Sequence, residues 1–413
     1  MTNVVLVGNF LFPSGSASAM RIQNMAKGLA ENGAKVHVLP IAPIFAPDKT
    51  TDQIYHLTPN ITYELLAITS SPLLARNPLR QKPIWLWRTY TAAIKAYKRM
   101  RQLIKTGQCD LLIGYGRNMA LLGPLLRLCQ THRIVTLLDV VELRSQFSGF
   151  GGKLNPIYWD WYLGEQVLPR WFDGLIVIAQ GLQPIYAAVG VTKFLQIPSI
   201  EGWDDLPPIL EKDNREKQPF QLVCLTTLIK RDAPHVLLET MRLLGQQNIH
   251  VQLNLLGKFR EVAEARPWIE LCETDPYLRQ NVRLVGKVSD AELEQYFSLA
   301  DGLVLTRRDA ITEVCSFPTR LVEYLKTGRP VFVSAVGDIP NYLQNGQDAI
   351  LLSPEDPGQA AQAIATIVAT PKQGWQIGLQ GRNKGSLVFD RKEHTLQLLQ
   401  FAAKLMREKN GVV

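Results

Sequence analysis

Short, mostly apolar runs alternate along this chain with longer segments in which apolar residues recur at three- and four-residue spacing. The first set of runs covers residues 4–7, 36–39, 110–116, 134–138, 174–178 and 194–198. Between them lie helical patterns at Ile22, Met25, Ala26, Leu29 and Ala30, and over residues 84–105 and 120–129. A second set begins at Phe220, with runs at 221–225, 251–256, 282–285, 302–305 and 331–333 and helical patterns over 234–245, 290–299, 319–327, 339–344 and 357–369. Runs without polar alternation predict strands buried on both faces, and strand–helix alternation predicts parallel sheets covered by helices, the α/β class. Between the two sets, residues 199–218 (SIEGWDDLPPILEKDNREKQ) are charged, carry paired prolines and lose all periodicity, as a linker does. The pattern therefore predicts a doubly wound domain over residues 1–198, a linker over 199–218 and a second such domain over 219–385. The tail, 386–413, is predicted as a closing helix from Leu396, Leu398, Leu399, Ala402 and Leu405. Residues 40–83 follow no clear pattern, and 145–165 read as a glycine-containing loop with an amphipathic segment.

Candidate chemistry gathers at Phe317–Pro330 (FPTRLVEYLKTGRP), between two predicted strands. Leu321, Val322, Tyr324 and Leu325 give it helical spacing, Pro318 suits a first turn, and Gly328 suits the position just past a helix end. A helix opening near Thr319 presents free N–H groups to an anion, Arg320 adds a charged fork, and Glu323 lies one turn in, where it can accept from a hydroxyl pair. A phosphate beside a polyol is what a nucleotide-sugar presents; an ordinary amphipathic helix with a polar surface is the alternative. In the first half, the Gly15–Ser16 turn follows the first strand without forming a GxGxxG fingerprint. Asp139 and Glu142 end another predicted strand, either as site carboxylates or as caps of the next helix. His37 lies within a strand and reads as a core or edge residue.

Charge sharpens the picture. The net charge is +8, and residues 1–200 hold 20 Lys and Arg against 10 Asp and Glu, so the excess lies in the first half. No acid interrupts residues 65–109, where Trp85, Trp87, Arg88, Lys95, Lys98 and Arg99 share the 84–105 helix. Basic charge beside aromatic rings is the pattern of a helix lying on an anionic membrane surface, or of a surface helix whose rings face its own domain. No nucleic-acid-binding module accompanies it. The five cysteines are scattered without a CxxC pair, which supports neither a disulfide framework nor a metal site. With no signal peptide and no membrane-spanning run in evidence, the expected location is the cytoplasm, with peripheral attachment to the inner face of the membrane as an option.

Several segments of the second half resemble the family-4 retaining glycosyltransferases. Leu253–Gly257 (LNLLG) is similar to that family's strand ending in glycine, and Val282–Val288 (VRLVGKV) with Ser289, Leu293 and Tyr296 to its VxFxGxVsxxxLxxxY segment. Ala300 and Asp301 match its ADxxvxP element, Phe317–Pro330 a variant of its donor-binding segment, and Gly337–Pro340 with Asn345 and Gly346 the segment that follows. The resemblance implies the GT-B fold, two Rossmann-like domains facing a central cleft, with a tail helix crossing back to the N-domain. It implies transfer of a sugar from a nucleotide-diphosphate sugar to an acceptor hydroxyl, with retention and without a metal or other cofactor. Glu323 would hold the donor ribose. Phe317, Pro318, Thr319 and Arg320 would form the donor segment, with Arg231 or Lys230 joining Arg320 on the diphosphate. Gly15 and Ser16 would approach the phosphates, Lys287 and Val288 would meet the base, and Asp139 and Glu142 would serve the acceptor side.

The sequence departs from that pattern at three places. Cys315 stands where the family has its first glutamate, with Glu313 two residues away. Thr227 and Asp232 stand where it commonly has Arg and Lys, and Leu138 where it often has His. The expected function is thus a retaining glycosyltransferase acting on a lipid-linked or cell-surface glycan. A non-catalytic nucleotide-sugar-binding protein and a sugar-nucleotide epimerase on the same fold are the alternatives.

Overall fold

The computed structural model describes residues 1–46, 48–51, 53–69, 82–143, 152–204, 206 and 219–411. The chain forms two compact units, residues 1–202 with 391–413, and residues 203–390. No helix among the described residues is long and apolar enough to cross a membrane.

In the first unit an eight-stranded sheet runs in the order Phe194–Gln196, Gly174–Val177, Val135–Val140, Leu111–Tyr115, Asn3–Gly8, Lys35–Pro40, Ile61–Glu64, Ile54–Thr58. All neighbours are parallel except the last pair. That pair is a hairpin in the stretch that resisted assignment. Its edge strand, Ile54–Thr58, is exposed or half-buried throughout, so it lacks the apolar run that marks the central strands. The tail helix Arg391–Lys409 belongs to this unit. It buries Leu398, Ala402 and Leu405 in the core beneath the sheet, and packs against helix Ala17–Glu31. Gly28 makes the crossing possible, because a Cβ there would lie 2.6 Å from the Arg391 carbonyl oxygen.

The second unit is built on a six-stranded, all-parallel sheet ordered Val282–Gly286, Val251–Leu256, Phe220–Leu225, Gly302–Leu305, Val331–Ser334, Ile350–Leu352. Numbered within the unit this is 3-2-1-4-5-6, the Rossmann order. Its strands Val251–Leu256, Gly302–Leu305 and Val331–Ser334 are buried throughout, which fits their mostly apolar character. Helix Pro371–Val388 has no counterpart in the sequence pattern. It carries Gly374, Gly378, Gly381 and Gly385, residues that weaken an isolated helix. In place they form a stripe that lets the helix touch backbone: a Cβ on Gly378 would come within 2.3 Å of the Gly328 carbonyl oxygen. Tertiary packing overrides local propensity there.

Candidate functional site

In a doubly wound sheet the strand order reverses at one point, and the loops leaving the carboxyl ends of the two strands there splay apart to make a crevice. In the second unit those strands are Phe220–Leu225 and Gly302–Leu305. The first feeds the turn Thr226–Ala233, in which Leu228 (φ +52°) and Ala233 (φ +44°) both adopt the left-handed region. Non-glycine residues hold that conformation at a cost of order 1 kcal/mol or more each, and such strain clusters at functional sites. Gly257, at the end of the neighbouring strand, fits against this turn because a Cβ would lie 2.1 Å from the Thr226 carbonyl oxygen.

Helix Thr319–Lys326 begins beside the turn, with Pro318 at its N-cap and Gly328 (φ +69°) beyond its end. Arg320 and Tyr324, one turn apart on the same face, grip the backbone of Leu225. The Arg320 guanidinium donates to its carbonyl oxygen, and its N–H donates to the Tyr324 hydroxyl at 2.7 Å. Arg320 Nη2 also meets Asp232 Oδ1 at 2.7 Å, while Asp232 Oδ2 accepts from Thr226 Oγ1 (2.8 Å), the Thr227 amide (3.0 Å) and Thr227 Oγ1 (3.1 Å). Burial alone would raise the Asp232 carboxyl, but Arg320 and these donors outweigh it and hold it below its ordinary value. For Arg320, burial is outweighed by Asp232 and its pKa rises. Arg320 is therefore not the open fork that the sequence suggested. Two of its nitrogens are spent on Leu225 and Asp232, because the residue standing in the family's lysine position is an acid that needs a cation.

The other predicted donor-site residues are spread around this point. Arg231 lies in the one-turn helix Lys230–Asp232, half-exposed, with Nε 3.5 Å from Glu313 Oε1. Lys230 is exposed, and its amide donates to Glu264 Oε1 at 2.6 Å. Glu313 is buried, so the carboxylate two residues from Cys315 faces Arg231. Cys315 is fully buried. Phe317 is a core anchor rather than an open surface, packed edge-on to Tyr342 and against Phe389 at ring distances of 5.6 and 5.4 Å. Thr319 and Glu323 are half-buried, Lys287 is exposed and Val288 half-buried.

In the first unit, Gly15 (φ +108°) and Ser16 open helix Ala17–Glu31, with Ser16 Oγ accepting from the Ala19 amide at 3.1 Å. Asp139 is 1 % exposed, and both of its oxygens are taken by Arg21, at 2.8 Å from Nε and 2.7 Å from Nη2. Arg21 continues to the carbonyl oxygens of Pro198 (2.8 Å) and Ile197 (3.1 Å). Asp139 is thus a buried counter-ion of Arg21, an arrangement that speaks against the catalytic role expected of it. Glu142 is exposed, and its carbonyl oxygen accepts from Arg117 Nη1 at 2.6 Å. His37 is buried beside Thr62 and Glu64, in keeping with a core role.

Residues 219–370 match the family model for Glycosyl transferases group 1. The chain has a GT-B fold, and its second unit is similar to the group 1 glycosyltransferases. Whole-chain structural similarity agrees. A sucrose-phosphate synthase from Thermosynechococcus elongatus superposes with a TM-score of 0.71 at 18% identity, covering 99% of this chain and 100% of that one. A glycosyltransferase from Rickettsia africae gives 0.69 at 11% identity, over 98% and 99%. HepE of Anabaena, in complex with UDP and glucose, gives 0.64 at 14%, over 98% and 100%. Comparison with curated proteins by sequence finds no match.

One residue of the second unit escaped the sequence reading. Arg307, 4% exposed, leaves the carboxyl end of strand Gly302–Leu305 at the switch point. Its amide donates to Ser334 Oγ (3.0 Å) and its Nη2 to Ser316 Oγ (2.7 Å). Burial first, then the charges of Arg231 and Arg320, bring its pKa down to about 10. An arginine after an apolar run carries no local signal of burial, since arginines there are commonly solvated. The stripe of candidate membrane residues also divides. The side chains of Trp85 and Trp87 lie outside the described residues. Arg99 turns to Glu64 at 2.6 Å instead of outward, while Arg88 and Lys95 are half-buried and Lys98 is exposed.

Proposed function

We propose that this protein is a retaining glycosyltransferase that moves a sugar from a nucleotide-diphosphate sugar to an acceptor hydroxyl without a metal ion. Glycosyl transfer itself is what the family match supports. The observation that carries the donor reading is the set of three arginines, Arg231, Arg307 and Arg320, around the switch point of the matched domain, with Glu323 one turn along the adjoining helix. Fixed cations at that place stabilise the charge that grows on a departing diphosphate, and such preorganised electrostatics are the largest usual source of rate. In this reading Glu323, one turn into the helix, accepts from the ribose hydroxyls. That HepE is a structural neighbour seen with UDP and glucose adds weight to a nucleotide-sugar donor.

A panel of UDP-, GDP-, ADP- and dTDP-sugars, with binding and slow donor hydrolysis both followed, tests this reading. One donor is expected to bind and to be hydrolysed, and Glu323→Ala is expected to weaken it by about 10–100-fold, the loss of one or two charged hydrogen bonds. Absence of binding across the panel would remove the donor assignment. Cys315, in place of the family's first glutamate, favours a second reading, a protein that binds a donor without turning it over. Binding without hydrolysis or transfer is its signature.

The acceptor side points to a membrane surface, with the enzyme in the cytoplasm at the inner face. Helix Lys82–Lys105 packs inward through Ala92, Ala96, Met100 and Leu103 and leaves Tyr90, Ile94 and Tyr97 exposed at 52, 58 and 37%, beside exposed Lys98, Arg101 and Lys105. Apolar and basic side chains sharing an outer face suit an anionic bilayer, where each basic residue contributes about 1 kcal/mol. Vesicles containing phosphatidylglycerol are expected to bind the protein and vesicles of phosphatidylcholine alone are not. Lys98→Glu is expected to weaken binding roughly tenfold or more, since it removes one attraction and adds one repulsion. Equal binding to both vesicles would leave a soluble acceptor as the better reading.

A further inference from the structure

We infer that Arg307 supplies charge that binds the donor diphosphate, at a site where Thr227 and Asp232 stand in place of the family's usual Arg and Lys. The inference rests on the nucleotide-sugar reading above and names the group on which that reading turns. Each neighbouring arginine already faces a carboxylate: Arg320 has Asp232 at 2.7 Å and Arg231 has Glu313 at 3.5 Å. Arg307 has no carboxylate within ion-pair distance among the described residues, and its Nε, shielded from solvent, has no hydrogen-bond partner. Among the described residues the guanidinium's hydrogen-bond partner is the neutral hydroxyl of Ser316. The cluster of three arginines and two carboxylates is thus left with one uncompensated positive charge, held on the most buried of the three guanidiniums.

A buried, unpaired cation is strongly unfavourable, and proteins rarely retain one. The fold nevertheless builds this one in. Ser334 fixes the Arg307 backbone, Ser316 fixes one arm of the guanidinium, and Thr306 Oγ1 donates to the Asp232 carbonyl oxygen at 2.6 Å, joining the loop to the Arg320–Asp232 pair. The low pKa of Arg307 expresses the same imbalance, since burial and two like charges disfavour its charged form. What would relieve it is an anion arriving at the carboxyl ends of Phe220–Leu225 and Gly302–Leu305. A diphosphate has the charge and the planar pairs of acceptor oxygens that a guanidinium takes in preference to an ammonium. In a site of low dielectric the attraction reaches across several ångströms, so the guanidinium acts on the phosphates even from beneath the loop.

The experiment compares a nucleoside diphosphate with the nucleoside of the same base by calorimetry, on the wild type, Arg307→Gln, Arg307→Lys and Glu323→Ala, with the unliganded thermal midpoint of each. Arg307→Gln is expected to weaken the diphosphate at least tenfold and the nucleoside less than twofold, with an unliganded midpoint that is unchanged or higher. Arg307→Lys keeps the charge without the fork and is expected to fall between. If Arg307→Gln and Arg307→Lys lower the midpoint and leave the ratio of diphosphate to nucleoside affinity unchanged, Arg307 is a structural residue and the inference is wrong. If Glu323→Ala loses the diphosphate while both Arg307 variants keep it, the donor reading survives and this inference alone falls. If the wild type binds none of UDP, GDP, ADP and dTDP, both fall.

Discussion

Replacing Arg320 with alanine is expected to lower the thermal midpoint by roughly 10 °C, from a loss of about 3–5 kcal/mol. The reason lies in what stays behind. Asp232 has a side chain only 6% exposed, and without Arg320 its charge is stranded beside two threonine hydroxyls and one amide. The carbonyl oxygen of Leu225 also loses its side-chain donor. The double variant Arg320→Met with Asp232→Asn removes both charges together, and it is expected to recover most of the midpoint, because a deleted pair costs far less than a broken one. Acid adds a second signature. The Asp232 carboxyl titrates below its usual 3.8 in the folded protein, so its stabilisation is complete above that value and is lost as the pH falls through the depressed one. Asp232→Asn is expected to erase that part of the acid sensitivity. Calorimetry of the four proteins between neutral pH and pH 3 checks both points. Additive losses in the double variant would show that the two residues do not act as a pair. Donor binding in Arg320→Ala would fall as well, but through the displaced turn that holds Arg231.

The contrast between Arg320 and Arg307 shows where sequence reasoning stops. The central strands were legible because both faces are buried and apolar residues dominate them, as in Gly302–Leu305. The helix at Thr319–Lys326 was legible because Leu321, Val322, Tyr324 and Leu325 face one core and Gly328 ends it. Helix Pro371–Val388 was not, since Gly378 and Gly381 serve contacts with the backbone of Gly328 and Asp348, and Gly374 and Gly385 with the side chains of Ile367 and Trp203. Nor was the hairpin at Ile54–Glu64, whose outer strand lies at a sheet edge where polar residues are free to enter. In the site, positions along the chain were readable but partners were not. Nothing near Arg320 in the sequence announces Asp232, eighty-eight residues earlier, as its counter-ion. Partnership decides chemistry here: a paired arginine is a structural bolt, and an unpaired buried one awaits an anion.

Asp139 presents the same question in the first unit, and its variant has the other large expected effect. Asp139→Ala is expected to destabilise that unit by about 3–5 kcal/mol, because Arg21, 5% exposed, is left with a buried charge and only two carbonyl oxygens for partners. Burial works against the charged form of Arg21, and Asp139 is what outweighs it and raises the pKa. Arg21 ties helix Ala17–Glu31 to the strand Val135–Val140 and to the backbone at Ile197 and Pro198, so its release loosens three parts of the unit at once. Asp139→Asn keeps the shape and one acceptor, and is expected to cost less, about 2–3 kcal/mol. If Asp139 is a counter-ion, activity per folded molecule should survive in Asp139→Asn at low temperature, and the loss should track the unfolded fraction measured by circular dichroism. A fully folded Asp139→Asn protein that has lost turnover by a hundredfold or more would restore the catalytic role that its pairing with Arg21 speaks against. Glu142→Gln supplies the comparison: it is exposed, its removal should leave the stability within about 0.5 kcal/mol of wild type, and any loss of turnover there belongs to the acceptor side and not to the fold.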